Sequence, residues 1–183
     1  MDRTAAVSPD GEVVLRALRR TRQIRDFRPD PVPNEIVERI LDVARWTGSA
    51  MNRQPWTFLV IRDRERLKRL AELAPNASHI GRAPAVIAIV MPGEKNEMDS
   101  YDEARAAERI MVATEALGLG AGIGWANASS RGPVGEELGL TPPTFVRTFV
   151  SVGYATPAAA QPRAPKGQAR KPLSDVVKYE RLG

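Results

Sequence analysis

Apolar side chains recur at helical spacing in several stretches of the chain. Residues Ser8 to Arg20 are predicted to form a first helix, with Ser8 or Asp10 as its cap. A proline-rich break follows, after which Asn34 can cap a second helix that ends at Gly48. The same signals predict three more helices: one capped by Asp63 and closed by Pro75, one opened by a capping box of Ser100 and Glu103 and stopped at Gly118, and a short one from Pro133 to Leu138.

Shorter apolar runs predict the strands between these helices. The run from Ala85 to Met91 is apolar throughout and bounded by prolines, which is typical of a strand buried on both faces at the centre of a sheet. Strands are also predicted at Trp56 to Ile61, at Ile123 to Asn127 and at Phe145 to Gly153. Helices and strands follow one another without regular alternation. The predicted fold is therefore α+β, with a mixed central sheet covered by helices.

The composition indicates one folded domain. The chain has 183 residues, of which 43% are hydrophobic and 27% charged, so it can form a core but has no room for a second catalytic domain. Residues 1–154 are the predicted domain and residues 155–183 its C-terminal arm, because Ala155 to Gly167 is too rich in alanine and proline to form a core. No apolar run reaches the ~20 residues that span a membrane, and no signal-peptide pattern is present. A soluble, cytoplasmic protein is predicted.

The residue types present exclude several kinds of chemistry. The chain has no cysteine, which rules out disulfides, iron–sulfur clusters and thiolate metal sites. Its one histidine, His79, rules out a multi-histidine metal site, and we assign it a structural or solvent-facing role. The net charge of +5 and the pI of about 10.0 raise the possibility of a nucleic-acid partner. Acidic residues are interspersed with the arginines throughout, however, so neither nucleic acid nor a membrane is predicted as a partner.

The glycine run GLGAGIG, Gly118 to Gly124, is the first segment of chemical interest. It follows a helix and opens a strand, which is the reverse of the order in a dinucleotide-binding glycine loop. Two interpretations remain open. The glycines form a helix C-cap and turn, or they let the backbone approach a flat ligand closely because no Cβ stands in the way.

Two pairs of cationic residues are candidates for an anion site. Arg22 and Arg25 stand three apart beyond the first helix, a spacing that lets two guanidinium groups converge on one phosphate. The alternative is a solvated basic turn. Arg170 and Lys171 would add positive charge after the proline-rich arm.

The segment GSAMNRQPW, Gly48 to Trp56, joins the second helix to the first strand. Its Ser49, Asn52 and Gln54 are neutral side chains that both donate and accept hydrogen bonds. They either contact the polar edge of a ligand or cap the local backbone, as serine and asparagine often do.

Taken in this order, the segments resemble the nitroreductase superfamily. The resemblance covers nearly the whole chain, through the basic turn TRQIRDF, the proline-valine helix and GSAMNRQPW loop, and then APAVIAIV, EALGLGAGIGWA, FVSVGYATP and RKPLSDVV. It implies a nitroreductase-like fold, a domain-swapped homodimer and one FMN in each of two sites at the subunit interface. It also implies an FMN-dependent oxidoreductase that takes a hydride from NADH or NADPH and passes it to a small electron-poor substrate such as a nitroaromatic or quinone.

The resemblance also assigns FMN-binding residues in four segments. These are Arg22, Gln23 and Arg25 for the phosphate and the N1/O2 side of the ring; Ser49, Met51, Asn52 and Gln54 lining the flavin from the partner subunit; Gly122, Ile123 and Gly124 presenting backbone to the ring; and Arg170 with Lys171 completing the phosphate site. No side chain is assigned as catalytic, because the chemistry takes place on the flavin.

Two motifs depart from the family pattern. Residues 21–23 are Thr-Arg-Gln where the family commonly has Arg-Arg-Ser, and residues 47–49 are Thr-Gly-Ser where it has Ala-Pro-Ser. One phosphate arginine is therefore replaced, with Arg20 or Arg170 as the candidate to compensate. Two other functions remain open: a specialised branch of the family (flavin destruction, reductive dehalogenation or heterocycle dehydrogenation) and a non-catalytic FMN-binding protein.

Overall fold

The computed structural model describes residues 8–93, 97–161 and 170–182. Within them the chain forms, in order, α1 (Pro9–Arg20), α2 (Asn34–Arg45), a first 3₁₀ turn (Ala50–Asn52), β1 (Thr57–Ile61), α3 (Arg64–Leu73), a second 3₁₀ segment (Pro75–Arg82), β2 (Ala85–Met91), α4 (Glu97–Ala116), β3 (Gly120–Trp125), α5 (Ala128–Leu138), β4 (Phe145–Gly153), α6 (Pro157–Ala160) and α7 (Leu173–Val176). No helix in the described ranges is long and apolar enough to cross a membrane.

The four strands form one sheet in the order β1-β2-β4-β3, and each neighbouring pair is antiparallel. The α+β class is confirmed. The sheet is antiparallel rather than mixed, and among the described residues parallel pairing is confined to an isolated bridge between Gln23 and Ala121. The apolar pattern of a strand indicates how deeply it is buried but not its direction, which explains the difference.

Helices cover both faces of the sheet and enclose two hydrophobic cores. One face packs against α2 and α4, and the other against α3, α5 and the second 3₁₀ segment. Alternate residues of β2 belong to the two cores: Ile87 and Ile89 to the first, Val86 and Ala88 to the second, all fully buried. The predicted central strand, buried on both faces, is confirmed with the predicted bounds.

A β-bulge in β4 turns one arginine toward α4. The register between β2 and β4 shifts so that Arg147 has no partner in β2. Its guanidinium forms an ion pair with the buried Glu103 and also donates to Ser100 Oγ at 3.0 Å. The predicted capping box of Ser100 and Glu103 is therefore wrong: α4 starts earlier, at Glu97, and both side chains serve this tertiary contact instead.

Two other predicted bounds differ from the structure. The glycine run does not precede β3 but forms most of it, because its backbone pairs with β4 from Gly120 to Trp125. The helix predicted from Pro133 begins earlier, where the Asn127 side chain accepts from Ser130 N at 2.9 Å. Backbone pairing and capping outweigh the weak intrinsic propensities of glycine and proline in these segments.

The first residues of the predicted C-terminal arm pack on their own chain. Ala155 pairs with Phe27, and Thr156 donates from its hydroxyl to Asp26 Oδ2 at 2.9 Å. Residues 162–169 lie outside the described residues, and residues 170–182 are exposed. Packing of the rest of the arm on a partner subunit stays a prediction.

Candidate functional site

The basic segment after α1 lies along β3, at the edge of the sheet. Ile24 N donates to Ala121 O at 2.7 Å, and Ile123 N donates to Gln23 Oε1 at 2.6 Å. Arg25 Nη2 donates to Ile123 O at 3.1 Å. Because successive side chains of an extended segment alternate, Ile24 is buried while Gln23 and Arg25 stay exposed beside β3. The structure thus brings together two of the predicted site segments.

The glycines of β3 allow other segments of the same chain to pack closely against the strand. A Cβ at Gly122 would collide with the carbonyl oxygen of Ile24, and a Cβ at Gly124 would lie 2.6 Å from Ala77 Cβ. The basic segment and the second 3₁₀ segment thus fill the space that these glycines leave on that side of the strand. Whether residues 122–124 present their backbone to a flavin stays a prediction. The helix C-cap interpretation fits Gly118, which has a φ of +77° after the end of α4.

A cavity of about 480 Å³ opens beside the basic segment. It is lined by Arg22, Gln23, Ile24, Arg25, Asp26, Arg82, Ala159 and Gln161. Its volume lies in the range of ligand pockets, roughly 300–1,000 Å³. Three guanidinium groups and one carboxylate line it, so the donor set fits an anionic ligand that also carries hydrogen-bond acceptors.

The three cavity arginines differ in what they already contact. Arg22 Nη2 donates to Ala159 O at 3.1 Å and Ala160 O at 2.6 Å, and so holds the end of α6. Arg25 holds β3, as described above. Arg82 forms no hydrogen bond or ion pair among the described residues, although it lines the same cavity. Arg82 is therefore the cation most available to a ligand.

Arg82 is not among the site residues predicted from the sequence. It lies at the end of the second 3₁₀ segment, and no motif distinguishes it from the other arginines of the chain. Arg20, one of the two residues expected to compensate for the missing phosphate arginine, instead pairs with Glu115 of α4 at 3.2 Å and does not line the cavity. The fold supplies Arg82 at the cavity from a segment about sixty residues further along the chain.

The remaining predicted residues lie elsewhere in the single chain. Ser49, Met51, Asn52 and Gln54 precede β1, which is the opposite edge strand of the sheet from β3. The exposed cations at 170 and 171 are not among the residues that line the cavity. One chain therefore brings together only part of the predicted site.

His79 is buried behind β3, with 7% of its surface exposed. Its Nε2 lies 3.3 Å from Gly122 O. Burial lowers the pKa of His79, the hydrogen bond to Gly122 opposes that shift, and the positive charges of Arg25 and Arg82 add to it. His79 is thus a neutral structural side chain. Of the two roles predicted for it, structural or solvent-facing, the structure has the first. In the described ranges no group of three or more histidine, aspartate or glutamate side chains is placed to hold a metal ion.

The free energy of unfolding is expected to fall as the pH drops below about 6.5, the ordinary pKa of histidine. The unfolded chain then takes up a proton at His79 while the folded protein does not, so stability decreases by up to about 1.4 kcal/mol per pH unit. Chemical denaturation of the wild type and of His79→Asn between pH 5.5 and 7.5 measures this. The variant should lack this part of the slope, and identical slopes would contradict the assignment.

Proteins of one known family are similar to this chain. A profile of the Nitroreductase family matches residues 18–77. A protein of Archaeoglobus fulgidus named for NADH dehydrogenase and NAD(P)H nitroreductase activity is 31% identical over 150 residues, covering 78% of this chain and 86% of that protein. A similarly named protein of Methanothermobacter thermautotrophicus is 34% identical over 119 residues, covering 61% of this chain and 62% of its own length. The chain belongs to the nitroreductase family.

A solved structure supports this assignment. A nitroreductase-type protein of Desulfovibrio desulfuricans, crystallised in complex with FMN, is 27% identical and superposes with a TM-score of 0.79. The superposition covers 93% of this chain and 98% of that protein. The two chains therefore share the same fold over nearly their whole length.

Proposed function

We propose that the protein is an FMN-dependent oxidoreductase that uses NADH or NADPH and works as a homodimer. The observation that carries this proposal is the cavity beside β3, where three arginines and Gln23 surround a volume suited to a ligand. FMN matches this donor set, because its phosphate is an anion and its ring and ribityl chain offer several hydrogen-bond acceptors. The names of the relatives support NAD(P)H as the reductant.

Several cationic residues of this chain would bind FMN together. Arg82 and Arg22 supply positive charge for the phosphate, together with Arg170 and Lys171 of the C-terminal arm. Arg25, fixed against β3 by its bond to Ile123 O, would supply a cation for the ring. When bound, FMN supplies hydride transfer between the reductant and the acceptor. The protein's own part is to bind, orient and stabilise charge.

Two exposed apolar surfaces support the homodimer. Helix α1 buries none of its side chains in the single chain, although Val13, Val14 and Leu18 are apolar. Leu173 and Tyr179 of the C-terminal segment are likewise exposed. Large apolar side chains left in water by both terminal segments favour association with a second copy. We propose that Ser49, Met51, Asn52 and Gln54 of one chain line the flavin bound by the other.

A small, electron-poor molecule such as a nitroaromatic or quinone is the acceptor that we propose. Such acceptors take reducing equivalents from a flavin without a side-chain nucleophile, and the chain has no cysteine. We also propose a cytoplasmic location. The specialised family branches and the non-catalytic FMN-binding protein give different outcomes in the experiment that follows.

Purified protein is expected to bind one FMN per chain without a covalent bond, and NADH or NADPH should bleach it under anaerobic conditions. Adding a nitroaromatic or a quinone should then restore the flavin absorbance. Spectrophotometric titration with each nucleotide, followed by a panel of acceptors, measures both steps. FMN that binds but is bleached by neither nucleotide would contradict the oxidoreductase and support a non-catalytic FMN-binding protein. Bleaching without reoxidation by nitroaromatics or quinones would point to a specialised branch.

A further inference from the structure

The segment between α2 and β1 has an unusual backbone. Met51, Asn52 and Gln54 have φ values of +51°, +54° and +48°, in the left-handed region. Asparagine tolerates this region, but methionine and glutamine seldom adopt it. The segment buries none of the three side chains, and Met51 is 86% exposed. Core packing therefore does not account for the strained conformation.

Two buried carboxylates of α4 hold this segment in place. Asp102 Oδ2 accepts from Ala50 N at 2.9 Å, and Asp102 is only 3% exposed. Asp99, 6% exposed, forms an ion pair with Arg53. Asp102 Oδ1 lies 3.5 Å from Arg105 Nη1. Met51 and Asn52 thus lie between two anchored residues, Ala50 and Arg53, and Gln54 directly follows the second. Both anchoring carboxylates lie outside the segment.

Local hydrogen bonds complete the arrangement. Ser49 accepts twice, through its carbonyl from Asn52 N at 3.0 Å and through Oγ from Gln54 N at 2.8 Å. Arg53 N donates to Ala50 O at 3.1 Å. Four amides of the segment are therefore bonded while the side chains of Met51, Asn52 and Gln54 stay exposed. Strained backbone that the surrounding structure over-determines is characteristic of sites prepared for a ligand.

We propose that Asp102 and Asp99 are positioning residues that hold residues 49–54 in a preformed, outward-facing conformation for the ring and ribityl chain of a flavin bound by a second copy of the chain. This inference rests on the proposed function. The exposed Asn52 and Gln54 offer amide groups for the polar edge of such a ligand. Holding them before binding lowers the conformational entropy lost when the ligand arrives.

The first test measures positioning without any ligand. In Asp102→Ala, the amides of Ala50, Asn52, Arg53 and Gln54 should exchange with deuterium at least tenfold faster than in the wild type, because the bond that anchors the segment is gone. Asp102→Asn keeps an acceptor oxygen and should restore most of the protection. The matched control is Asp42→Ala, which removes a carboxylate paired with Arg45 on the exposed face of α2. Unchanged exchange in Asp102→Ala would overturn the positioning role.

The second test measures whether the positioned segment contributes to flavin binding. Asp102→Ala should weaken the binding of FMN and of riboflavin by the same factor, about tenfold or more, because residues 49–54 are proposed to contact the ring and ribityl chain and not the phosphate. Asp102→Asn should bind both flavins nearly as tightly as the wild type, and Asp42→Ala should bind them unchanged. Fluorescence quenching gives the dissociation constants.

Each outcome of the two tests has a separate meaning. Faster exchange with unchanged flavin affinity would overturn the role toward the ligand. Loss of FMN binding alone, with riboflavin binding retained, would place the segment at the phosphate and also overturn the proposal. If the wild type binds neither flavin, the proposed function fails, while the exchange experiment still decides whether Asp102 positions the segment.

Discussion

Replacing Arg147 with alanine is expected to lower the free energy of unfolding by about 3–5 kcal/mol, the cost of removing one partner of a buried ion pair. Glu103 is 1% exposed, and Arg147 is its ion-pair partner. The second carboxylate oxygen of Glu103, Oε1, has no hydrogen-bond partner among the described residues. The variant therefore leaves a carboxylate buried without a compensating charge. Denaturation by urea, at fixed protein and FMN concentrations, measures the loss.

A substitution of Glu103, the partner of Arg147, provides the internal control. Adding Glu103→Gln to Arg147→Ala removes the buried charge and should recover part of the lost stability. Arg45→Ala is the matched surface control, because Arg45 and Asp42 pair with 61% and 60% of their side chains exposed. Its cost should stay below about 1 kcal/mol. Similar losses in Arg147→Ala and Arg45→Ala would show that the buried pair contributes no more than an exposed one.

Arg82→Ala and Arg25→Ala are each expected to weaken FMN binding by about tenfold or more, since a hydrogen bond to a charged group contributes roughly 1.5–3 kcal/mol. The two should differ toward riboflavin, which lacks the phosphate. Arg82 is proposed to bind the phosphate, so its loss should leave riboflavin binding unchanged. Arg25 is proposed to face the ring, so its loss should weaken both and slow anaerobic reduction. Dissociation constants at matched ionic strength test the contrast.

Arg28→Ala is the control for both cavity variants. Arg28 belongs to the same basic segment but pairs with Asp30 at 3.3 Å, lies over the Tyr154 ring and does not line the cavity. Its replacement removes the same charge and should change FMN affinity by no more than about twofold. Equal losses in all three variants would mean that the segment acts only as a diffuse positive surface.

Much of the fold follows from local pattern. The continuous apolar run of β2 and the alternating residues of β4 predicted both strands with their observed bounds. A strand buried on both faces is apolar at every position, and a short run of this kind between prolines is typical of one. Helices α1 and α2 were predicted close to their observed limits from their caps and spacing. The family resemblance assigned Gln23, Arg25 and Ile123 to one site, and hydrogen bonds join the three residues beside β3. Their contact with FMN stays a prediction.

Tertiary contacts decided the rest, because they join residues that no local pattern relates. Glu103 matched a capping box by spacing, but its ion pair with Arg147 comes from a bulge forty-four residues away. Arg82 reaches the cavity only because the second 3₁₀ segment packs against β3, which nothing in its neighbours indicates. The segment with left-handed backbone at Met51, Asn52 and Gln54 contacts carboxylates of α4 that the sequence places about fifty residues later. Long-range ion pairs and backbone packing set these features, and spacing along the chain does not encode them.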